Sequence, residues 1–178
     1  MTSRPLQPPE LLDLADRLVG RRAGADRPRT VELRRGVSTA YYALFHELAW
    51  RWTDALLHEG PGWTERAGSV SRWVKHADIR QLTETLLGNR GSDALRAAAG
   101  GPSPDLRRLA ETFGVLQDAR HSADYDDFYD LNRALARGLT SAARESVALS
   151  WRMSAINDLT YALFLRLMLS AGQAKTRS

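Results

Sequence analysis

The sequence predicts an all-α protein, a compact up-and-down helical bundle. Three observations carry this: every long segment repeats its apolar residues at three- and four-residue intervals, no stretch of useful length alternates apolar with polar residues, and no internal repeat is present. At 178 residues, 43% hydrophobic and 26% charged, the chain has a globular composition and enough length for one sizeable core. We read residues 1–171 as a single helical domain and 172–178, which are polar, as a disordered tail.

The first helix starts at Pro8–Pro9, since proline suits a first turn, and ends around Gly20, with Leu11, Leu14, Ala15 and Leu18 as its apolar side. The second runs from about Thr30 to His58. Val37, Tyr41, Leu44, Leu48 and Trp52 form one stripe on it, and Tyr42, Phe45 and Ala49 a second beside it. A helix apolar on two sides belongs at the centre of a bundle or at an oligomer interface. Gly60, Pro61 and Gly62 stop it. A third helix is expected from Trp63 or Ser69 to Leu87, with Gly88 as its stop, followed by a connector to Pro102 whose middle, 94–99, suits a helical turn. The fourth begins with Ser103 as cap, Pro104 in first position and Asp105 at the positive helix end. Asp124, Asp126 and Asp127 are unfavourable at a helix C-terminus, so either the helix stops near Ala123 or these acids do something other than support it; Asp126 and Asp127 are candidate caps of the next helix. The last helical region spans Asp130–Ala171, with a break suggested at Gly138. Leu149, Met153, Ile156, Thr160, Leu163 and Leu167 make its closing stripe.

The formal net charge of +4 permits nucleic-acid binding without demanding it. No cysteine is present, which removes disulfides, thiolate metal sites and cysteine nucleophiles. No apolar run reaches the ~18–20 residues of a spanning helix, and the N-terminal stretch lacks the apolar centre of a signal peptide. The expectation is a cytoplasmic protein without membrane contact.

One polar cluster is not required by a plain bundle. Leu109, Phe113 and Leu116 form a core-facing stripe whose next position is Arg120. A charge there needs a partner, because burying it unpaired costs several kcal/mol. Asp124 stands four residues on, within reach on the same face, and His121 and Tyr125 flank the pair. Two readings of Arg120 and Asp124 stand: an ion pair that fixes helix packing or dimer register, or an arginine that grips a phosphate with Asp124 orienting it. His121 diverges from Arg120 by about 100° around the helix and reads as a surface or capping residue. His46, among Phe45, Tyr42 and Trp50, reads as a core or interface residue; His76 reads as a hydrogen-bonding residue heading a helix turn. Tyr41, Tyr42, Trp50 and Trp52 have helical spacing, which favours core over a base-stacking surface. Asp124, Asp126, Asp127 and Asp130 lack a histidine or glutamate at ligand spacing, so no metal is assigned. No cofactor is assigned either, since no Walker loop or dinucleotide fingerprint is present.

Two stretches, LRRGVSTAYYALFHELAW (Leu33–Trp50) and LQDARHSADYD (Leu116–Asp126), together resemble the HEPN superfamily of small helical domains. The likeness is to its bacterial branch with an S-x-A-Y-Y-A-h-F-H helix (h apolar) and a later R-x-x-A-D-Y segment. Ser38, Ala40, Tyr41, Tyr42, Ala43, Phe45 and His46 fit the first pattern; Arg120, Ala123, Asp124 and Tyr125 fit the second. Lys75–His76 falls where that branch often has a polar-His pair opening a helix. The resemblance covers roughly residues 30 to 170.

The resemblance implies a HEPN-like bundle that dimerises. Many HEPN proteins are metal-independent endoribonucleases with an arginine, a polar residue and a histidine five positions after the arginine. Arg120 and His121 match the first two positions, and Tyr125 holds the third. A phenol titrating near 10 exchanges protons poorly at neutral pH compared with an imidazole near 6.5. The resemblance therefore implies first a homodimeric accessory or interaction protein of a prokaryotic toxin–antitoxin or defence system. Its implied partners are a nucleotidyltransferase-type antitoxin and RNA or a nucleotide, bound through Arg120, Asp124 and His76. The alternative is an endoribonuclease acting across a dimer cleft, with Arg120, His121 and Tyr125 as its catalytic set.

Overall fold

Seven helices form among the described residues, which are 7–20, 27–57, 64–89, 93, 97 and 100–168 of a computed structural model. They are α1 (Pro8–Leu18), α2 (Thr30–Leu57), α3 (Glu65–Ser71), α4 (His76–Leu86), α5 (Pro104–Tyr125), α6 (Arg133–Ala155) and α7 (Leu159–Leu167). No strand is present among these residues, and the protein is all-α. No helix among them is long and apolar enough to cross a membrane. The expected stop at Gly60–Gly62, the turn at 94–99 apart from residue 97, and the tail from 172 onward lie outside the described residues.

The chain divides into two compact units. The first holds α1, the N-terminal part of α2, the C-terminal part of α5 and most of α6, within residues 7–46 and 112–148. Its core includes Leu12, Val19, Val37, Tyr41, Leu44, Phe113 and Leu116. α1 is rotated from the expected face: Leu12, Ala15 and Val19 are buried with Pro8, whereas Leu14 is 38% exposed. The i, i+4 line from Pro8 reaches Leu12, and Ala15 and Val19 continue that face. A close approach holds α1 on α2. A Cβ on Gly36 would stand 2.7 Å from Val19 Cγ1 and 3.4 Å from the Ala15 carbonyl oxygen, so this crossing admits only glycine without displacement. At the end of α1 the Gly20 carbonyl accepts from the guanidiniums of Arg133 and Arg137, tying the helix stop to α6.

The second unit holds the rest of α2, then α3, α4, the start of α5, the end of α6, and α7. The third helix of the sequence reading is in fact two. α3 ends at Ser71, 3₁₀-type bonds (Trp73 N–H to Val70 O, 2.9 Å; Val74 N–H to Ser71 O, 3.3 Å) tighten the chain, and Lys75 is extended before α4. The turn lets Val74 follow Val70 into the core while Trp73 stays 59% exposed. Thr64 caps α3 by accepting from the Ala67 N–H at 3.0 Å, and Ser103 caps α5 as expected, accepting from the Leu106 N–H at 3.3 Å.

One break was misplaced in the sequence reading. α6 runs through Gly138, where nothing crowds the backbone, and stops instead at Ala155. Asn157 takes a left-handed φ of 52°, which asparagine tolerates better than most residues. Asp158 then caps α7, accepting from the N–H groups of Thr160 (2.8 Å) and Tyr161 (3.0 Å). Leu149 and Met153 of the expected stripe are buried, but the turn resets the helical phase: beyond it the buried residues are Tyr161, Phe164, Leu165 and Met168, and Ile156 is 66% exposed. Burial disfavours the Asp158 carboxylate, but these hydrogen bonds outweigh it and hold its pKa below the ordinary value. Of the two expectations for α5 the second holds: the helix runs past Ala123 to Tyr125, and α6 is capped by Asn132, not by Asp126 or Asp127.

The stripe Val37, Tyr41, Leu44, Leu48 and Trp52 on α2 is buried along its length, each residue at most 2% exposed, while Tyr42 and Phe45 are half-buried. Leu44→Ala should therefore cost about 2–5 kcal/mol in denaturant unfolding, as large-to-small core changes do. Leu14→Ala, at the exposed position, should cost well under about 1 kcal/mol.

Candidate functional site

The two sequence motifs meet in the first unit. α2 presents Arg34, Ser38 and Tyr42 at four-residue intervals, one line of polar groups beside its apolar stripe. α5 presents Arg120 and Asp124 one turn apart. Asp124 Oδ1 accepts from the Ser38 hydroxyl at 2.7 Å, and its Oδ2 lies 2.8 Å from Arg120 Nε. That ion pair is close in distance, although the Nε–H is not aimed along it. Arg120 Nη2 donates to the Tyr42 hydroxyl at 3.0 Å. The guanidinium carbon stands 5.6 Å from the Tyr42 ring centroid and 5.4 Å from that of Tyr125, both within cation–π range.

Arg120 is thus largely shielded, as its place on the stripe required: its side chain is 23% exposed and that of Asp124 18%. Burial works against its charge, but Tyr42 and Asp124 outweigh it and hold its pKa above the ordinary value, so it is a cation throughout the working pH range. His121 is exposed, and its ring lies 5.1 Å from that of Tyr125, which is 67% exposed. Tyr125 therefore touches both Arg120 and His121. The four residues named from the second motif, Arg120, His121, Asp124 and Tyr125, gather in one place. His76 opens α4 in the other unit and is not among them.

Sequence reading missed the partners on α2. Tyr42 was assigned to an apolar stripe, whereas its hydroxyl holds Arg120. Ser38, buried at 4% exposure, donates its hydroxyl to Asp124. The available signal was the i, i+4, i+8 line Arg34–Ser38–Tyr42, which carries polar atoms at every step beside a buried stripe. Arg34 is the other omission. Its Nη1 donates to the carbonyls of Ala123 (3.4 Å) and Asp126 (2.8 Å), and its Nη2 to those of Asp127 (3.1 Å) and Tyr129 (3.2 Å). One side chain thereby holds the end of α5 and the turn that follows, answering carbonyls that a helix end leaves without partners.

His46 sits 5.6 Å, ring to ring, from Phe45 and 6.4 Å from Tyr42, and burial lowers its pKa below 6.5. No group of three or more His, Cys, Asp or Glu side chains among the described residues is arranged to hold a metal ion.

No protein-family model, curated protein or solved structure matches the chain.

Three outcomes follow from this geometry. Arg120→Ala leaves Asp124 and Tyr42 without their cation, and at this intermediate burial should cost about 1–3 kcal/mol, between the values for exposed and buried pairs. Tyr125→Phe keeps the ring and should leave stability within about 0.5 kcal/mol. Burial lowers the pKa of His46 in the fold, whereas once unfolded it titrates near its ordinary 6.5. Its contribution is therefore complete above about pH 6.5 and is lost progressively as pH falls below that value. A series of melts from pH 7.5 to 5 should show less acid loss in His46→Gln than in the parent.

Proposed function

We propose that this chain is a HEPN-type accessory or interaction protein, working as a homodimer within a prokaryotic toxin–antitoxin or defence pair, with a nucleotidyltransferase-type antitoxin as its companion. The observation that supports this reading is the state of Arg120. Its guanidinium is committed to Asp124 and Tyr42 and lies within cation–π range of two phenol rings. An arginine immobilised in this way is a rigid cationic fixture. It is suited to fixing helix register and to receiving a phosphate of RNA or nucleotide at its remaining edge. Beside it the position of the family's histidine carries a phenol, a kind of group less suited than an imidazole to proton exchange at neutral pH.

A second reading, a metal-independent endoribonuclease, draws on one observation: the exposed imidazole of His121 lies against Tyr125, whose ring also meets Arg120. In that reading two copies of the cluster face one cleft, His121 exchanges the proton and Tyr125 donates a hydrogen bond to phosphate.

Light scattering at micromolar concentration should give twice the chain mass. A labelled single-stranded RNA, incubated with the protein and a chelator, should stay intact, and Arg120→Ala should weaken any retention of that RNA in a mobility-shift assay. Cleavage that is lost in both His121→Ala and Arg120→Ala, with melting temperature unchanged in the first, would establish the second reading instead. A monomer that ignores RNA would remove both.

A further inference from the structure

The turn that follows α5 carries a side chain with no role inside its own unit. Phe128 is 95% exposed, more than any other large apolar residue among those described. The backbone that carries it is nevertheless held in place. The Phe128 N–H donates to Asp126 Oδ1 at 2.9 Å, and Arg34 binds the carbonyls on both sides of it, those of Asp127 and Tyr129. Leu131, 6% exposed, anchors the far end of the turn. Exposing a phenyl ring to water is unfavourable, and no local contact here repays it. An aromatic displayed on a fixed backbone is suited to act as an interface anchor, because only its own side-chain freedom is left to be lost when it is buried.

The charges around the ring say what kind of surface fits it. Asp126, Asp127 and Asp130 are all exposed beside Phe128. Such a surface repels a phosphate backbone and suits an apolar pocket rimmed with cations. We propose that the turn at 126–130 is a docking knob for a protein partner with a basic-rimmed apolar pocket, Phe128 entering the pocket and Asp127 and Asp130 pairing with arginine or lysine on its rim. This rests on the interaction-protein reading only in taking the chain to work through a partner; neither the dimer nor the Arg120 cluster is needed for it.

The test is photo-crosslinking in the native cells. The full chain carries p-benzoylphenylalanine at position 128 in one strain, and at the exposed Val31 in a control strain. The expected result is one protein captured at 128 and not at 31, through a peptide containing apolar residues and arginine or lysine. The purified pair should then bind with an affinity that falls at least about tenfold in Phe128→Ser. Asp127→Asn with Asp130→Asn should weaken binding and flatten its salt dependence. Circular-dichroism melts of these variants should match the parent, since the altered side chains are exposed. Capture of a second copy of this chain, of RNA, or of nothing beyond the control would overturn the proposal, as would a captured pair indifferent to Phe128→Ser. A monomeric protein without RNA affinity that still gives the specific basic-partner crosslink would sink the proposed function and leave this inference standing.

Discussion

An arginine placed where a core-facing stripe would continue obliges the first unit to neutralise it on the spot. The oligopeptide geometry of α5 supplies one half of the answer, Asp124 one turn away. A single carboxylate does not satisfy a planar group with five N–H donors. α2 supplies the other half, a hydroxyl for Asp124 from Ser38 and a phenol for Arg120 from Tyr42. These contacts need α2 and α5 to keep one register, because a shift of either by one residue would swing the partners about 100° apart. Apolar packing of Tyr41 on Phe113, with ring centroids 5.6 Å apart, tolerates small slips; the polar set does not. Specification of register is the best-attested use of a partly buried charge.

The second unit meets a similar demand differently. Glu47 is 3% exposed, and its Oε1 accepts from Arg51 Nε at 2.7 Å and from the Ser150 hydroxyl at 2.8 Å. Ser150 in turn lies 2.8 Å from the Tyr161 hydroxyl, whose pKa burial pushes up well above its ordinary value. The chain links residues of α2, α6 and α7, so the position of α7 after its turn is set by a polar line as well as by Phe164 and Leu165. In both units a carboxylate is met by a cation one helical turn away, and a hydroxyl from another helix completes its shell.

Much of the fold was legible because periodicity is a local property. The α2 stripe, the Ser103–Pro104–Asp105 opening of α5 and the pairing of Arg120 with Asp124 all depend on residues within a turn or two of each other. What misled was also local. Gly138 looked like a breaker because glycine disfavours helix by about 1 kcal/mol, yet that is small beside the tertiary burial of Ala136, Leu139 and Ala143 around it. The real stop at Asn157–Asp158 uses residues whose side chains choose between several local hydrogen bonds. The acids after Ala123 disfavour a helix end there, but Arg34, 89 residues before Ala123 and 92 before Asp126, binds the carbonyls of both and offsets the unfavourable charge. Contacts of that separation, like Ser38 with Asp124, leave no periodic trace. Only the shared four-residue step of Arg34, Ser38 and Tyr42 hints at them, and that step acquires meaning once a second helix is set against it.

The grip of Arg34 has a consequence for how the chain meets digestive enzymes. An exposed phenylalanine on a loop tip is an attractive cleavage site for a protease of aromatic preference. Such enzymes bind their substrates drawn out in line, and the turn around Phe128 is folded back on the guanidinium through four carbonyl oxygens. Cutting there must wait until Arg34 lets go, so its rate follows the population of the opened turn and not the accessibility of the ring. The same side chain that displays the ring thus withholds the peptide bond beside it.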